Sequence, residues 1–450
     1  MKFIFSFNKA LPIVSLALLL LTGCAGGGKG TGCTAEVSLQ SRIITQPDYR
    51  SHFTDDRLRI DLTFAGNAFE QGVYLNKLAA EKGWSGTKTK PVDELYYGEY
   101  RLELEDTTGR PLFAMGFNTL FQEWRTLEEA KVENCAFCSS YRVPFPKEKV
   151  QLVIYERVSE TGLFRQMYRS TIDPKDKSIS YEKENDFNVV PVMVNGESAN
   201  KVDLLFIAEG YTAEQMDKFR KDVDKFTGYL FDIEPYKSRK NDFNIWAVES
   251  VSQEEGTDIP NKDIWKKTVA ESNFYTFRSD RYLTAPNQTI VSKLAANAPC
   301  DALYVIVNTA KYGGGGIYNY YGLSMSDNKF EDEVFVHEFG HSLAGLGDEY
   351  YYEDDIYEGA YSTSVEPWEP NITTLVNFES KWKDMIDPST PVPTPADSIY
   401  RNITGVYEGA SYHAKGLYRP YINCRMRAND AEGFCPVCQR AINRVIDTYL

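Results

Sequence analysis

His337 and His341, with Glu338 between them, have the residue types and spacing of a metal site that carries its own base. On a 3.6-residue period, two histidines four apart share one helix face, so both rings can reach a single ion. Glu338 projects beside them, where it can hold and deprotonate a water on that ion. The chain has 4 histidines, and two of them fall in this one pentapeptide. Two imidazoles do not complete a hydrolytic zinc site, which takes three protein ligands and keeps a fourth position open. Asp348 is the first candidate for the third ligand. Gly345 and Gly347 interrupt the helix, and a turn there swings Asp348 back toward the rings. Glu349 and then His413 are the alternatives. Glu353, Asp354 and Asp355 read as solvated acids, with a structural calcium site as the other possibility.

The elements around this motif must aim it into a cleft. Phe339, Leu343 and Leu346 recur at i, i+4 and i+7 and mark the face that packs inward, leaving the histidines on the other side. Upstream, residues 202–208 form a buried-type strand, and Thr212 caps a helix through Met216, Phe219, Val223 and Phe226. Residues 243–248 and 301–308 read as further strands, with a helix near residues 289–296 between them. This βαβαβ order predicts a mostly parallel α/β layer. Tyr312 is followed by Gly313, Gly314, Gly315 and Gly316, a side-chain-poor edge strand along which a substrate peptide could pair. Residues 362–396 are rich in Pro, Ser and Thr and read as loop, and residues 436–449 return to helix.

Residues 34–186 carry a period of two in most runs, including 57–64, 100–105 and 150–155, with turn residues such as Asp106 to Gly109 between them. The expectation is an antiparallel β-sandwich with a helical interruption near residues 72–82. The fold class is therefore α+β and multidomain, with a β-sandwich over residues 34–186 and an α/β domain over 187–450.

Composition sets the outer bounds. The chain has 450 residues, 42% of them hydrophobic, which is too long for one ordinary domain and apolar enough to fold. A net charge of −15 argues against nucleic acid as a partner, because phosphate binding needs clustered Lys and Arg. Lys2, Lys9 and the apolar run 11–21 make an export signal over residues 1–23, ending in Leu21-Thr22-Gly23-Cys24. That tetrapeptide resembles the lipobox of bacterial lipoproteins, which implies lipid attachment at Cys24. Residues 24–33 would then be a flexible tether, and the protein exported and membrane-anchored. Of 8 cysteines, seven remain after Cys24. Cys135/Cys138 and Cys435/Cys438 are CxxC pairs, and local or neighbouring disulfides are expected in preference to a zinc site joining the two pairs.

The run HEFGHSLAGLGDEY from His337 resembles two peptidase groups. It is similar to the metzincin pattern of zinc endopeptidases, although Gly345 and Asp348 each fall one residue later than that pattern asks. It is closer to the M64 family of IgA-peptidase-like metallopeptidases, which residues 202–212, 312–319 and 416–427 also resemble. The resemblance implies a zincin-like fold and one catalytic zinc held by His337, His341 and Asp348. It also implies Glu338 as the base and Met426 as the Met-turn residue beneath the metal. Some metzincins place a Tyr two residues after that Met, where this chain has Ala428; Tyr350, Tyr421, Arg425 and Arg427 are the candidates for a second oxyanion donor. The expected activity is hydrolysis of peptide bonds in extracellular proteins. The rival is an inert surface lipoprotein that binds a host glycoprotein or glycan through its β-domain, and the intact Glu338 argues against it.

Overall fold

Along residues 53–66, Leu58, Ile60, Leu62 and Phe64 alternate with polar residues and lose all exposure, as a strand with one apolar face requires. The computed structural model describes residues 35–181, 186–351 and 361–450. The export signal, Cys24, the tether, Cys33 and the acids at 353–355 lie outside the described residues. The first part of the chain runs β1 (Glu36–Val37), α1 (Tyr49–His52), β2 (Phe53–Gly66), β3 (Gln71–Glu81), β4 (Tyr100–Glu105) and β5 (Pro111–Phe117). It continues through α2 (Leu120–Arg125), β6 (Cys135–Pro146), β7 (Val150–Arg157) and β8 (Phe164–Ile172). Two antiparallel sheets result, of order β1-β8-β7-β4-β5 and β3-β2-β6. Leu102, Leu104, Leu152 and Ile154 of one sheet share a buried cluster with the apolar face of β2 in the other. Phe64 meets Tyr100 at 5.0 Å across the gap.

The helix expected near residues 72–82 is instead β3, paired along β2 from Arg57↔Glu81 to Gly66↔Gln71. A bulge explains the misreading. Leu62 pairs with Leu75 but Asp61 with Lys77, so Asn76 is extra. Val73, Leu75, Leu78 and Ala80 therefore lose the strict period of two that marks a strand.

The second part runs β9 (Val189–Met193), β10 (Val202–Glu209), α3 (Met216–Asp232), β11 (Phe243–Val248), α4 (Gln288–Ala295), β12 (Ala302–Val307), β13 (Gly314–Ile317) and β14 (Tyr321–Met325). After α5 (Glu331–Ala344) come β15 (Tyr407–Ala410), β16 (His413–Arg419) and α6 (Pro436–Tyr449). The main sheet has the order β13-β14-β12-β10-β11-β9. Its four inner strands are parallel, and β9 and β13 close the edges antiparallel. Leu204, Phe206 and Ala208 face α3 and α5, while Leu205 and Ile207 join the cluster that also holds the sandwich interior. The mixed α/β architecture read from the pattern is present, and β14 and the β15–β16 hairpin add to it. No helix among the described residues is long and apolar enough to cross a membrane.

The two parts share more than a linker. Arg57 donates to the carbonyls of Ala298 and Ala296 at 3.2 and 2.8 Å, just past the end of α4. Gln288, the first residue of α4, accepts from the Ser140 amide at 2.6 Å.

Candidate metal centre

α5 is held from below by rings. Phe335 lies 4.7 Å from Tyr304 and 4.9 Å from Phe226, and Phe339 and Leu343 are buried behind it. The helix stops at Gly345, whose φ of +60° is the left-handed cap that glycine adopts without strain. Its amide donates to His341 O at 3.0 Å, the bond of an αL cap, and Leu346 N donates to Gly340 O at 3.3 Å. Asn371, fully buried, then clamps the returning chain: its Oδ1 accepts from Gly347 N at 2.8 Å and its Nδ2 donates to Gly347 O at 2.9 Å.

This reversal delivers Asp348 to the histidines. Asp348 Oδ1 lies 3.1 Å from His337 Nε2 and 3.2 Å from His341 Nε2, and the two Nε2 atoms are 3.0 Å apart. Both Nδ1 atoms face backbone carbonyls, which can only accept: Arg425 O at 2.9 Å for His337 and Leu346 O at 2.5 Å for His341. Each ring is thereby set with its Nε2 lone pair aimed at the same point. Three converging acceptors demand a cation. Tetrahedral ligands about 2.0–2.1 Å from a zinc ion sit about 3.3 Å apart, so this donor set fits such an ion with only tenths of an ångström of adjustment. Without a metal, a proton takes that place. Burial opposes charge on His341, but the Asp348 carboxylate prevails and lifts the ring to about 9. Burial likewise opposes charge on Asp348, and the neighbouring rings hold it well below the usual carboxylate range. Tyr412 Oη donates to Asp348 Oδ2 at 2.6 Å and lies 2.9 Å from Tyr350 Oη.

Glu338 lies beside the histidines at the floor of the cleft, where burial pushes its carboxyl above the ordinary value. β13 runs close against it. A Cβ at Gly314 would come 3.0 Å from Glu338 Oε1, and one at Gly316 would come 2.3 Å from Glu338 O. Met426 is fully buried beneath the helix, with its sulfur 2.9 Å from where a Cβ of Gly340 would stand.

Other expectations fared differently. Gly313 to Gly316 line the cleft, and Tyr282 bridges Gly314 on the outer edge of β13. Gly313 and Gly315 abut Arg281 O and Leu283 O, so these glycines serve close packing on two sides. Glu349 turns away from the histidines, and His413 is buried with Nδ1 on Ser411 O. Tyr350 and Arg427 line the cleft; Tyr421 packs on the core, and the Arg425 guanidinium is spent on Asn429 O and Ala431 O. The expected disulfides are absent among the described residues: all six cysteines there are unbridged. Cys135 and Cys138 lie three apart on β6 and point to opposite faces. Tyr412 and Asn371 escape the sequence analysis, since nothing local links them to the histidine motif.

The cleft holds about 830 Å³. Its far wall comes from the sandwich, through Gln122, Glu123, Thr126 and Arg157, for which the sequence offered no role. A family model described as IgA Peptidase M64 matches residues 190–402 and 396–446, and one for the Peptidase M64 N-terminus matches residues 48–168. The chain belongs to the M64 peptidase family. M64 membership makes it a peptidase, with protein or peptide as its substrate class. Both parts of the fold fall within M64 matches, the sandwich under the N-terminal model and the main sheet under the peptidase model. No curated protein matches the chain.

Proposed function

We propose that this M64 peptidase is a zinc-dependent endopeptidase with a zincin-like catalytic layer, in which His337, His341 and Asp348 hold one ion and Glu338 is the general base. The observation that carries the reading is the triangle of two Nε2 atoms and Asp348 Oδ1, at 3.0–3.2 Å, with both Nδ1 atoms tied to backbone carbonyls. When bound, the ion supplies Lewis acidity, acidifying a water and polarising the scissile carbonyl. Glu338 takes the proton from the attacking water on a carboxylate oxygen and returns it to the departing amine nitrogen. Burial raises its proton affinity above the ordinary value, which suits a group that must accept and then release a proton. Asp348 keeps its ligand oxygen oriented because Tyr412 occupies the other one. The sandwich and the catalytic layer together wall the cleft, so an extended peptide would touch both.

The same proposal includes an exported lipoprotein anchored through Cys24 and acting on extracellular proteins, supported by the lipobox-like residues 21–24. Incorporation of a labelled fatty acid, lost on Cys24→Ser, tests the anchor.

Glu338→Gln tests the chemistry. The variant is expected to keep its metal and lose cleavage of a peptide library by at least about 100-fold. Cleavage surviving the substitution would remove Glu338 from the mechanism. Mapping cleavage sites across a proteome with wild type and Glu338→Gln would then define the substrates.

A further inference from the structure

Asp348 and Glu349 are consecutive, yet their side chains serve opposite sides of the chain. Asp348 joins the histidines, while Glu349 enters a fully buried pocket formed by Cys424, Cys435 and Cys438. One ligand atom from each of these four residues lies within 4.8 Å of all the others. We propose that Cys424, Cys435, Cys438 and Glu349 bind a second zinc ion, structural and distinct from the one at the histidines.

Three observations carry this. The Cys424 and Cys438 sulfurs are 3.8 Å apart. A disulfide would need about 2.05 Å. Two thiolates on one tetrahedral zinc, each at about 2.3 Å, sit about 3.8 Å apart. Glu349 is 0% exposed, and although Asn371 Nδ2 and the Cys438 thiol contact its Oε1, its Oε2 has no hydrogen-bond partner. A buried carboxylate oxygen without a donor is costly, and a cation beside it removes the cost. The surroundings also suit thiolates. The Cys435 amide donates to Cys424 Sγ at 3.3 Å. Cys435 and Cys438 are the cap and third residue of the 14-residue α6, where the helix N-terminus favours negative charge. Arg419, 3% exposed, acts on Glu349 and offsets part of the remaining charge.

The donor set is three soft sulfurs and one oxygen, all from protein, with no face open to solvent. That is the composition of a closed structural site rather than a catalytic one. Its position gives it work to do. Glu349 N donates to Met426 O at 2.8 Å, and Cys424 lies two residues before Met426. An ion here would bind the Asp348 loop, the turn beneath the histidines and α6 into one unit. It would set the position of Asp348 without touching substrate.

The test uses the full chain, purified without chelators. Wild type should carry about two zinc ions, and His337→Ala/His341→Ala about one. Replacing zinc by cobalt(II) in that double variant should give an intense near-ultraviolet thiolate-to-metal band, which a His and Asp site cannot produce. On the same background, Cys424→Ser with Cys438→Ser should abolish the band and the remaining ion. The proposal is overturned if a folded double variant holds no metal, if the cobalt form of wild type lacks the thiolate band, or if thiol counting on unfolded, unreduced protein finds two of these cysteines oxidised. The band is also read in wild type, where all ligands are intact, so a misfolded variant leaves the question decidable. One ion with a thiolate band in wild type would support this site and sink the histidine one; one ion without the band would do the reverse.

Discussion

Asp348 shows how much one side chain depends on its supports. Its Oδ1 faces both histidines while Tyr412 holds Oδ2 at 2.6 Å, so the carboxylate plane is fixed before any ion arrives. Removing such an outer donor typically costs 10–100-fold in metal affinity. Tyr412→Phe is therefore expected to weaken zinc about 10-fold in a chelator competition, with cleavage largely recovered when zinc is added in excess. A loss of cleavage that added zinc does not recover would place Tyr412 on the substrate instead. The Glu338→Gln outcome belongs to this scale too, because it separates holding the metal from moving the proton.

At the scale of elements, the decisive contact is β13 against α5. Gly316 lets the strand lie where a methyl group would stand 2.3 Å from a helix carbonyl, and backbone there cannot yield cheaply. Gly316→Ala should cost about 1–3 kcal/mol in denaturant unfolding and lower kcat more than KM, since the displaced carbonyl belongs to Glu338. Gly228 is the matched control. It lies exposed inside α3, and a methyl group added there would meet nothing within 4 Å, so Gly228→Ala should stabilise by about 0.5–1 kcal/mol and leave kcat unchanged. The glycine run is visible in the sequence, and the structure uses it for close packing as well as for the cleft wall. A run without side chains can mean an open edge or a close approach, and only the neighbours at Tyr282 and Glu338 tell which.

For the whole molecule, the sandwich is bound to the catalytic layer by buried charge as well as apolar packing. Glu81 on β3 pairs with Arg57 at 3.1 Å, Arg59 at 2.8 Å and Arg142 at 2.7 Å, all with side chains at most 14% exposed. Arg57 and Arg142 also reach carbonyls in and beyond α4. Glu81→Gln leaves three guanidiniums around a neutral group, and breaking such a buried network costs about 3–5 kcal/mol. Burial opposes the charge on Glu81, but Arg142 and Arg57 prevail and hold its carboxyl below the reference value of 4.5. The sign follows from linkage: this stabilisation is complete above pH 4.5 and is lost as pH falls through the lower, folded value. The gap in unfolding free energy between wild type and Glu81→Gln should accordingly narrow below pH 4.5. A gap that widens on acidification would refute this account.

What the sequence determined by itself was local and periodic. The histidine spacing, the glycine stop after α5, the parallel β10–β12 layer and the sandwich strands are each written within a few residues, because helix and strand geometry repeat over that distance. The bulge at Asn76 hid β3 for the same reason, by breaking the repeat. Tertiary structure alone decided that Tyr412 reaches Asp348 from 64 residues away, that the sandwich walls the cleft, and that Cys424, rather than the distant Cys135 and Cys138, meets Cys435, Cys438 and Glu349. Those meetings depend on how whole elements pack, and no spacing along the chain encodes a contact made by folding it.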